Sequence, residues 1–445
     1  LPQLSVIAVM SERQPMRVTF PYPLYERIPP VDVPDERLLG VWGPTLLAEP
    51  DDQAALVRGF STPISAPRLR DAARGRKSVL ILIDDGTRFT PTPAILPHVI
   101  DELHAGGLAD PQIRFLTAQG THRKMEEEEV ARKLGPLHGR FRVFQHDWKN
   151  PAELHRFGTT RDGTPVTANR LVAEADYVIG VGSIVPHRVK GFGGGAKIMF
   201  PGVAGPEMQH RNQWEASMQM SETVMGVPDN SMRLRMEEAA EIAGLRYIVN
   251  VVLDGAGHIA GCYCGDFRAA FREGCNKSRE ICAAHMPRRA EIVLIDSYPA
   301  DRDFWQSAKG LYAATMAVKD GGTIILVSPN PEGVASNHKN VLEIGYRKHA
   351  ELVAMVQRGE VEDLVGVAIL ADVAQIIDKA QCIIASPGVN QKDAEKLGLV
   401  WAPDGQRALE MAFEGQGRDA RVAVLRHGGH ILPLADERTA AAQLS

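Results

Sequence analysis

Residues 78–83 read Ser-Val-Leu-Ile-Leu-Ile and run straight into Asp84-Asp85-Gly86. An apolar run this short, stopped by a polar turn, is a strand buried on both faces. Such a strand needs a packed layer on either side. The pattern recurs along the chain. PTPAILPHVIDELHAGG reads as a helix stopped by Gly106 and Gly107, and a strand follows at 112–118. A Glu-rich helix, MEEEEVARKLG, comes next, then strands at 140–146 and at DYVIGVG, which ends at Gly182. The second half repeats the style, with strands at 291–296, 323–328, 382–386 and 421–425 and a helix over 301–318. Strands alternating with helices predict an α/β fold of mainly parallel sheets. A fresh strand begins after the helical stretch FREGCNKSREICAAHMPRR. The expected division is therefore an N-terminal α/β domain at 1–287 and a C-terminal α/β domain at 288–445, with the active site in the cleft between them.

At 445 residues the chain is long enough for two or three domains. With 44% apolar and 24% charged residues it reads as an ordinary globular protein. A net charge of −5 argues against a nucleic-acid binder working through a basic surface. No apolar run approaches the ~18 residues of a membrane span. The opening LPQLSVIAVMSERQP lacks a basic stretch, a long apolar core and a cleavage site, so no secretory leader is expected. The five cysteines are Cys262, Cys264, Cys275, Cys282 and Cys382. An odd number in a long chain suits a reducing compartment, hence a cytoplasmic location. Cys262 and Cys264 form a CxC with no second pair at zinc-site spacing, and read as two loop thiols.

In open α/β sheets, ligands bind at the carboxyl ends of the strands. Four polar clusters fall there. In Asp84-Asp85-Gly86-Thr87-Arg88 the amides and Thr87 can cradle a phosphate, Asp85 can hold a ribose hydroxyl, and Arg88 offers a planar fork for a carboxylate or phosphate. The plain alternative is a capped turn with a surface arginine. Gln119-Gly120-Thr121-His122-Arg123 puts a histidine, the natural proton shuttle near neutral pH, beside a glycine after a strand. The third cluster, Pro186-His187-Arg188-Val189-Lys190-Gly191-Phe192-Gly193-Gly194-Gly195-Ala196-Lys197, has four glycines in five residues. It is no P-loop, because Ile198 stands where Ser or Thr is needed. It is no dinucleotide fingerprint either, because Val185 occupies the third glycine position. Lys197 in so sheltered a loop can serve as an amine nucleophile or attachment point, or as a solvated loop lysine. In the fourth cluster Gln306 and Lys309 share a helix face beside Trp305 and can hold a small carboxylate.

Taken together and in order, DDGTR, GTHR, PHxxxGFGGGxK with the PGVAG run after it, and QxxKG resemble the nickel-dependent lactate racemase family, over about residue 15 to the C-terminus. The resemblance implies an isomerase: a racemase or epimerase inverting C2 of lactate or of a related or larger 2-hydroxy acid. It implies a nickel-pincer nucleotide (nickel pyridinium-3,5-bisthiocarboxylic acid mononucleotide), tied covalently to Lys197 and made by cofactor-synthesis accessory proteins. It further implies that His122 and His187 act as acid and base on opposite faces of the substrate. Asp85, Gly86, Thr87 and Arg88 would hold the nucleotide, and Arg88, Gln306, Lys309 and Trp305 the substrate. One position departs from the family. The nickel-ligating histidine, sixteen residues after the lysine, is matched here by Gln213, a poorer ligand than imidazole. His210, three residues earlier, shares roughly the same face if the segment is helical.

The chemistry behind the implied scheme is simple. The carbinol hydrogen of a 2-hydroxy acid is barely acidic. Leaving as hydride while a base takes the hydroxyl proton, it yields a neutral ketone. No side chain accepts hydride, so a cofactor must. Two other readings stand beside this one. The first is a cofactor-binding paralogue altered in catalysis, prompted by Gln213. The second is a nucleotide-dependent 2-hydroxyacid oxidoreductase.

Overall fold

The fold is that of a computed structural model describing residues 14–335 and 337–435. Residues 1–13, on which the reading of the N-terminus rests, lie outside the described residues. Two six-stranded sheets organise the chain. The first runs, edge to edge, Ile259–Asp266, Leu245–Leu253, Tyr177–Ser183, Val79–Asp84, Ile113–Ala118 and Arg142–Gln145. Its strands are parallel except for the edge hairpin formed by the first two. The second runs Val400–Ala402, Gln381–Ala385, Val318–Val327, Ala290–Asp296, Val422–Leu425 and Leu38–Trp42, all parallel.

Every residue of Val79–Asp84 is buried, as its composition requires. Leu80 and Leu82 point into a core shared with the second sheet, whereas Val79, Ile81 and Ile83 pack into a separate apolar layer on the other face. Alternation between two cores is how a parallel strand uses an unbroken apolar sequence. The second sheet does the same, with Val293 and Ile295 in the shared core and Ile292 and Leu294 in a third layer.

Two helices that line the site are capped by side chains. Asp303 accepts from the Gln306 amide at the start of Phe304–Ala317, and Asp363 accepts from Val365 and Gly366 at the start of Leu364–Lys379. Leu38–Trp42 pairs in the second sheet although it precedes the first in sequence. The last described strand, Leu432–Ala435, returns to pair with Ala283–Met286, beside the position read as the boundary. Cys262 and Cys264 are not in a loop. They lie on the edge strand Ile259–Asp266, because residues i and i+2 of a strand share a face, and their sulfurs are 3.7 Å apart. Among the described residues all five cysteines are free, and no helix is long and apolar enough to cross a membrane.

Candidate active site

Strand ends from both sheets converge on one cavity of about 180 Å³. Asp85, Thr87 and Arg88 follow Val79–Asp84, and Gln119 to His122 follow Ile113–Ala118. His187, Gly193, Gly194 and Lys197 follow Tyr177–Ser183. From the second sheet come Trp305, Gln306 and Lys309, and also Gly428 to His430 after Val422–Leu425.

The Asp85 turn is held from below. Lys133, buried on the helix Glu127–Leu134, donates to Asp84 Oδ1 at 2.6 Å and to the Arg88 carbonyl at 2.8 Å. Thr87 donates to Asp85 Oδ1 from its amide at 3.0 Å and its hydroxyl at 2.6 Å. The other oxygen, Oδ2, lies 2.5 Å from His122 Nδ1. Burial alone would raise the Asp85 carboxyl; the charge and hydrogen bond of His122, with Arg88, outweigh it and hold the group well below the usual carboxylate range. Both oxygens are thus engaged by the chain itself. Asp85 orients His122, in place of the expected free acceptor for a ribose hydroxyl.

The order continues across the cleft. Lys309 Nζ donates to Gln306 Oε1 at 2.7 Å, which leaves the Gln306 amide nitrogen facing His122 Nε2 at 3.1 Å. An amide nitrogen only donates, and the Asp85 carboxylate at Nδ1 only accepts, so in the neutral ring the proton stays on Nδ1. His122 is therefore set as the tautomer with a lone pair at Nε2. His187 is set the other way. The Val189 amide donates to its Nδ1 at 3.1 Å, so the neutral ring carries its proton on Nε2. Burial, reinforced by Lys197, Lys309, Arg88 and Lys190, keeps that imidazole well below its ordinary range and hence neutral.

Lys197 lies in the short turn Gly195–Ile198 and makes no side-chain hydrogen bond among the described residues. Burial, Arg88 and Arg233 lower its amine to about 7. The glycines before it are required. Gly195 has φ +58° and a Cβ there would meet Phe271 at 2.8 Å; at Gly194, φ +76°, it would meet Ile184 at 2.7 Å. The Gly195 amide donates to Asn250 Oδ1 at 2.7 Å. Arg233, fully buried, donates to the carbonyls of Gly194 (3.0 Å), Phe192 and Lys190 (3.4 Å), and its guanidinium lies 4.1 Å from the Phe271 ring centre.

Gln213 lines the cavity from the helix Pro206–Ala216. His210 on the same helix is not among the lining residues. A three-residue step is about 60° short of a full turn, and that offset carries its ring to the edge of Trp148 at 5.8 Å. Trp305 lines the cavity and stacks on His338 at 4.4 Å, while Phe304 is buried in the shared core. Sequence reasoning missed His430, Asn250, Arg233 and the buried pair Arg188–Asp372. His430 had a signal, since Gly428-Gly429-His430 follows the strand RVAVL much as Gly120-Thr121-His122 follows its own. Burial, with His427, Lys309 and Arg88, pushes it down to about 3.

Polar loops from two parallel sheets around one shared cavity define a two-domain α/β enzyme, and its relatives place it among the isomerases. The model of the lactate racemase N-terminal domain matches residues 26–225, and that of the lactate racemase C-terminal domain matches 286–432. The chain belongs to the lactate racemase family. It is 28% identical over 415 residues to the lactate racemase of Thermoanaerobacterium thermosaccharolyticum, covering 90% of this chain and 96% of the relative. It is 28% identical over 382 residues to that of Lactiplantibacillus plantarum, covering 85% and 90%. The solved lactate racemase apoprotein from T. thermosaccharolyticum superposes with a TM-score of 0.82 at 28% identity, over 91% of this chain and 97% of that one. A crystal structure of a Thermotoga maritima protein shares the fold, with a TM-score of 0.72 at 22% identity over 88% and 100%.

Proposed function

We propose that the protein inverts C2 of a 2-hydroxy acid, lactate or a larger relative, using a nickel-pincer nucleotide attached at Lys197. The observation that carries this is the convergence of an orientated His122, a neutral His187 and a Lys197 amine near 7 on one cavity. The organic part of the cofactor fits. Gly193 and Gly194 line the cavity beside Lys197 without side chains, and an amine lowered to about 7 is about half unprotonated, and so open to acylation, at neutral pH. Gly86, Thr87 and Arg88 would hold its phosphate. The metal side rests on Gln213, whose amide oxygen is a weaker donor than imidazole.

When bound, the group supplies a hydride acceptor and donor that no side chain offers. The chain's own residues do the rest. Arg88 and Lys309 bind the substrate carboxylate, and Gln306 ties that clamp to His122. His122 Nε2 takes the hydroxyl proton on one face, and His187 serves the other face. The clamp retains the planar 2-oxo acid while its second face is presented. We further propose a domain boundary near 287, a cytoplasmic location, and loading by accessory proteins that make the cofactor.

A panel of chiral 2-hydroxy acids, given to cofactor-loaded protein, tests the reading: loss of optical purity in at least one acid is expected. Label at C2 should be retained in the product, and wash-out into solvent would point to a carbanion route. Gln213 favours one second reading, a cofactor-holding paralogue altered in catalysis. Metal analysis with intact-mass measurement separates the two, since an adduct on Lys197 without nickel belongs to the paralogue.

A further inference from the structure

The cavity continues past His187 to a charged pair that the scheme above does not use. Arg188, the next residue, is 4% exposed, and its Nη2 donates to Asp372 Oδ1 at 2.9 Å and to the Gln219 carbonyl. Its other terminal nitrogen, Nη1, is buried without a hydrogen-bond partner. Both Arg188 and Asp372 line the cavity. Asp372 sits on Leu364–Lys379, one turn beyond Ala368 and Ile369, which also line it. Tyr312, one turn beyond Lys309 on Phe304–Ala317, completes this end, its ring centre 5.9 Å from the Arg188 guanidinium. The Tyr312 hydroxyl also hydrogen-bonds Asp372. A substrate whose carboxylate is clamped at Lys309 therefore has a path between two helices to the unpartnered Arg188 Nη1 and to a carboxylate whose remaining lone pairs can accept one more bond.

We infer that Arg188 and Asp372 form a subsite for the hydroxyl-bearing tail of the substrate, making it a polyhydroxylated 2-hydroxy acid. The inference rests on the proposed C2 inversion and deepens it. A hydroxyl donates and accepts at once, so it can donate a hydrogen bond to Asp372 and accept one from Arg188. A methyl tail would leave the buried Arg188 Nη1 without a partner. Sites built to hydrogen-bond a hydroxyl discriminate strongly against analogues that lack it. A second carboxylate would be repelled by Asp372, and the pair already balances the charge of Arg188. The apolar face of Ala368 and Ile369 suits the carbon side of such a chain.

Three acids distinguish the outcomes: lactate, 2-hydroxybutanedioate and 2,3,4-trihydroxybutanoate. With protein shown by mass to carry the Lys197 adduct, kcat/KM for inversion of the trihydroxy acid should exceed that for lactate at least tenfold. That ratio should collapse toward one in Asp372→Asn. Thermal stabilisation of adduct-free wild-type protein should also be larger with the trihydroxy acid than with lactate. Equal rates on lactate and the trihydroxy acid, or a preference for the dicarboxylate, would overturn the subsite and leave the inversion standing. So would an Asp372→Asn variant that slows all three acids alike, which would make the pair a domain latch. If Asp372→Asn does not fold, the wild-type ratio decides by itself. Loaded protein that inverts none of the three, nor any acid in the wider panel, would sink the inversion reading itself.

Discussion

His122 acts within a relay of side chains from three distant segments: Asp85 fixes Nδ1, Gln306 faces Nε2, and Lys309 fixes Gln306. Each link determines which atom of the next is donor and which acceptor. Replacing either His122 or His187 with Ala should abolish interconversion in both directions, because each ring serves as base one way and acid the other. Polarimetry on cofactor-loaded variants checks this, and a variant that keeps near-full rates with its cofactor intact would refute the two-histidine scheme. Lys197 carries a second prediction. Its amine titrates near 7 in the folded chain and near 10.4 in an unfolded one. The unfolded state thus binds the extra proton between those values, and stability rises with pH across that window. Lys197→Met should therefore stabilise the apoprotein by up to ~4 kcal/mol at pH 7, with the gain fading toward pH 10. Denaturation at the two pH values measures it, and acylation of Lys197, followed by peptide mass, should be half-maximal near pH 7.

At the scale of elements, the glycine loop has only a two-residue ladder, Gly191–Phe192 against Pro186–His187, and a buried arginine supplies further donors. Among the described residues Arg233 has no acidic partner in direct contact and directs its hydrogen bonds to three loop carbonyls. Arg233→Met would remove a donor from each of three carbonyls, of which Gly194 keeps only the Lys197 amide and Lys190 only the Phe192 amide, at a cost of about 2 kcal/mol. It also removes a cation that depresses the Lys197 amine. The expected result is a lower Tm together with a Lys197 labelling midpoint above 7. A fall in Tm with the midpoint unmoved would reduce Arg233 to scaffold. The strands and helices that carry the site were legible because each is a local pattern: buried runs at 79–84, 177–183 and 290–296, and a helix at 304–317 that ends where its strand begins. The edge strand Ile259–Asp266 was not legible, since its glycines and cysteines break the usual strand signature, whereas its hairpin partner Leu245–Leu253 carries an ordinary β-branched run.

Across the whole molecule, the two sheets meet in a shared apolar core and in ion pairs at the cleft mouth. Glu129 accepts from Arg123 at 2.6 Å and, across the cleft, from Arg302 at 2.7 Å; Arg123 also reaches Glu332 at 3.4 Å. Hydrogen bonds from Arg123 and then Arg302 outweigh burial and bring the Glu129 carboxyl down to about 2. That contribution is complete above the free value near 4.3 and is lost as pH falls toward 2. Glu129→Gln should loosen closure: a larger radius of gyration in solution scattering and a KM raised several-fold. High salt should move the wild type in the same direction, because both arginines are about a third exposed and open to screening. An unchanged radius in the variant would show that the apolar core alone sets the closed state.

The alternation of elements, the strand-end clusters and the family were all present in the order of the residues, because turn chemistry and apolar periodicity are properties of neighbours. What only the tertiary structure decided was which neighbourless residues meet. Asp85 and His122 are 37 apart in sequence, His122 and Gln306 184, and Arg188 and Asp372 also 184. Contacts of that span leave no periodic trace in a single chain. They arise only when neighbouring strands of one sheet, and the strand ends of two sheets, come together and bury the groups, and burial is what makes an amine, an imidazole or a guanidinium behave unlike its free form.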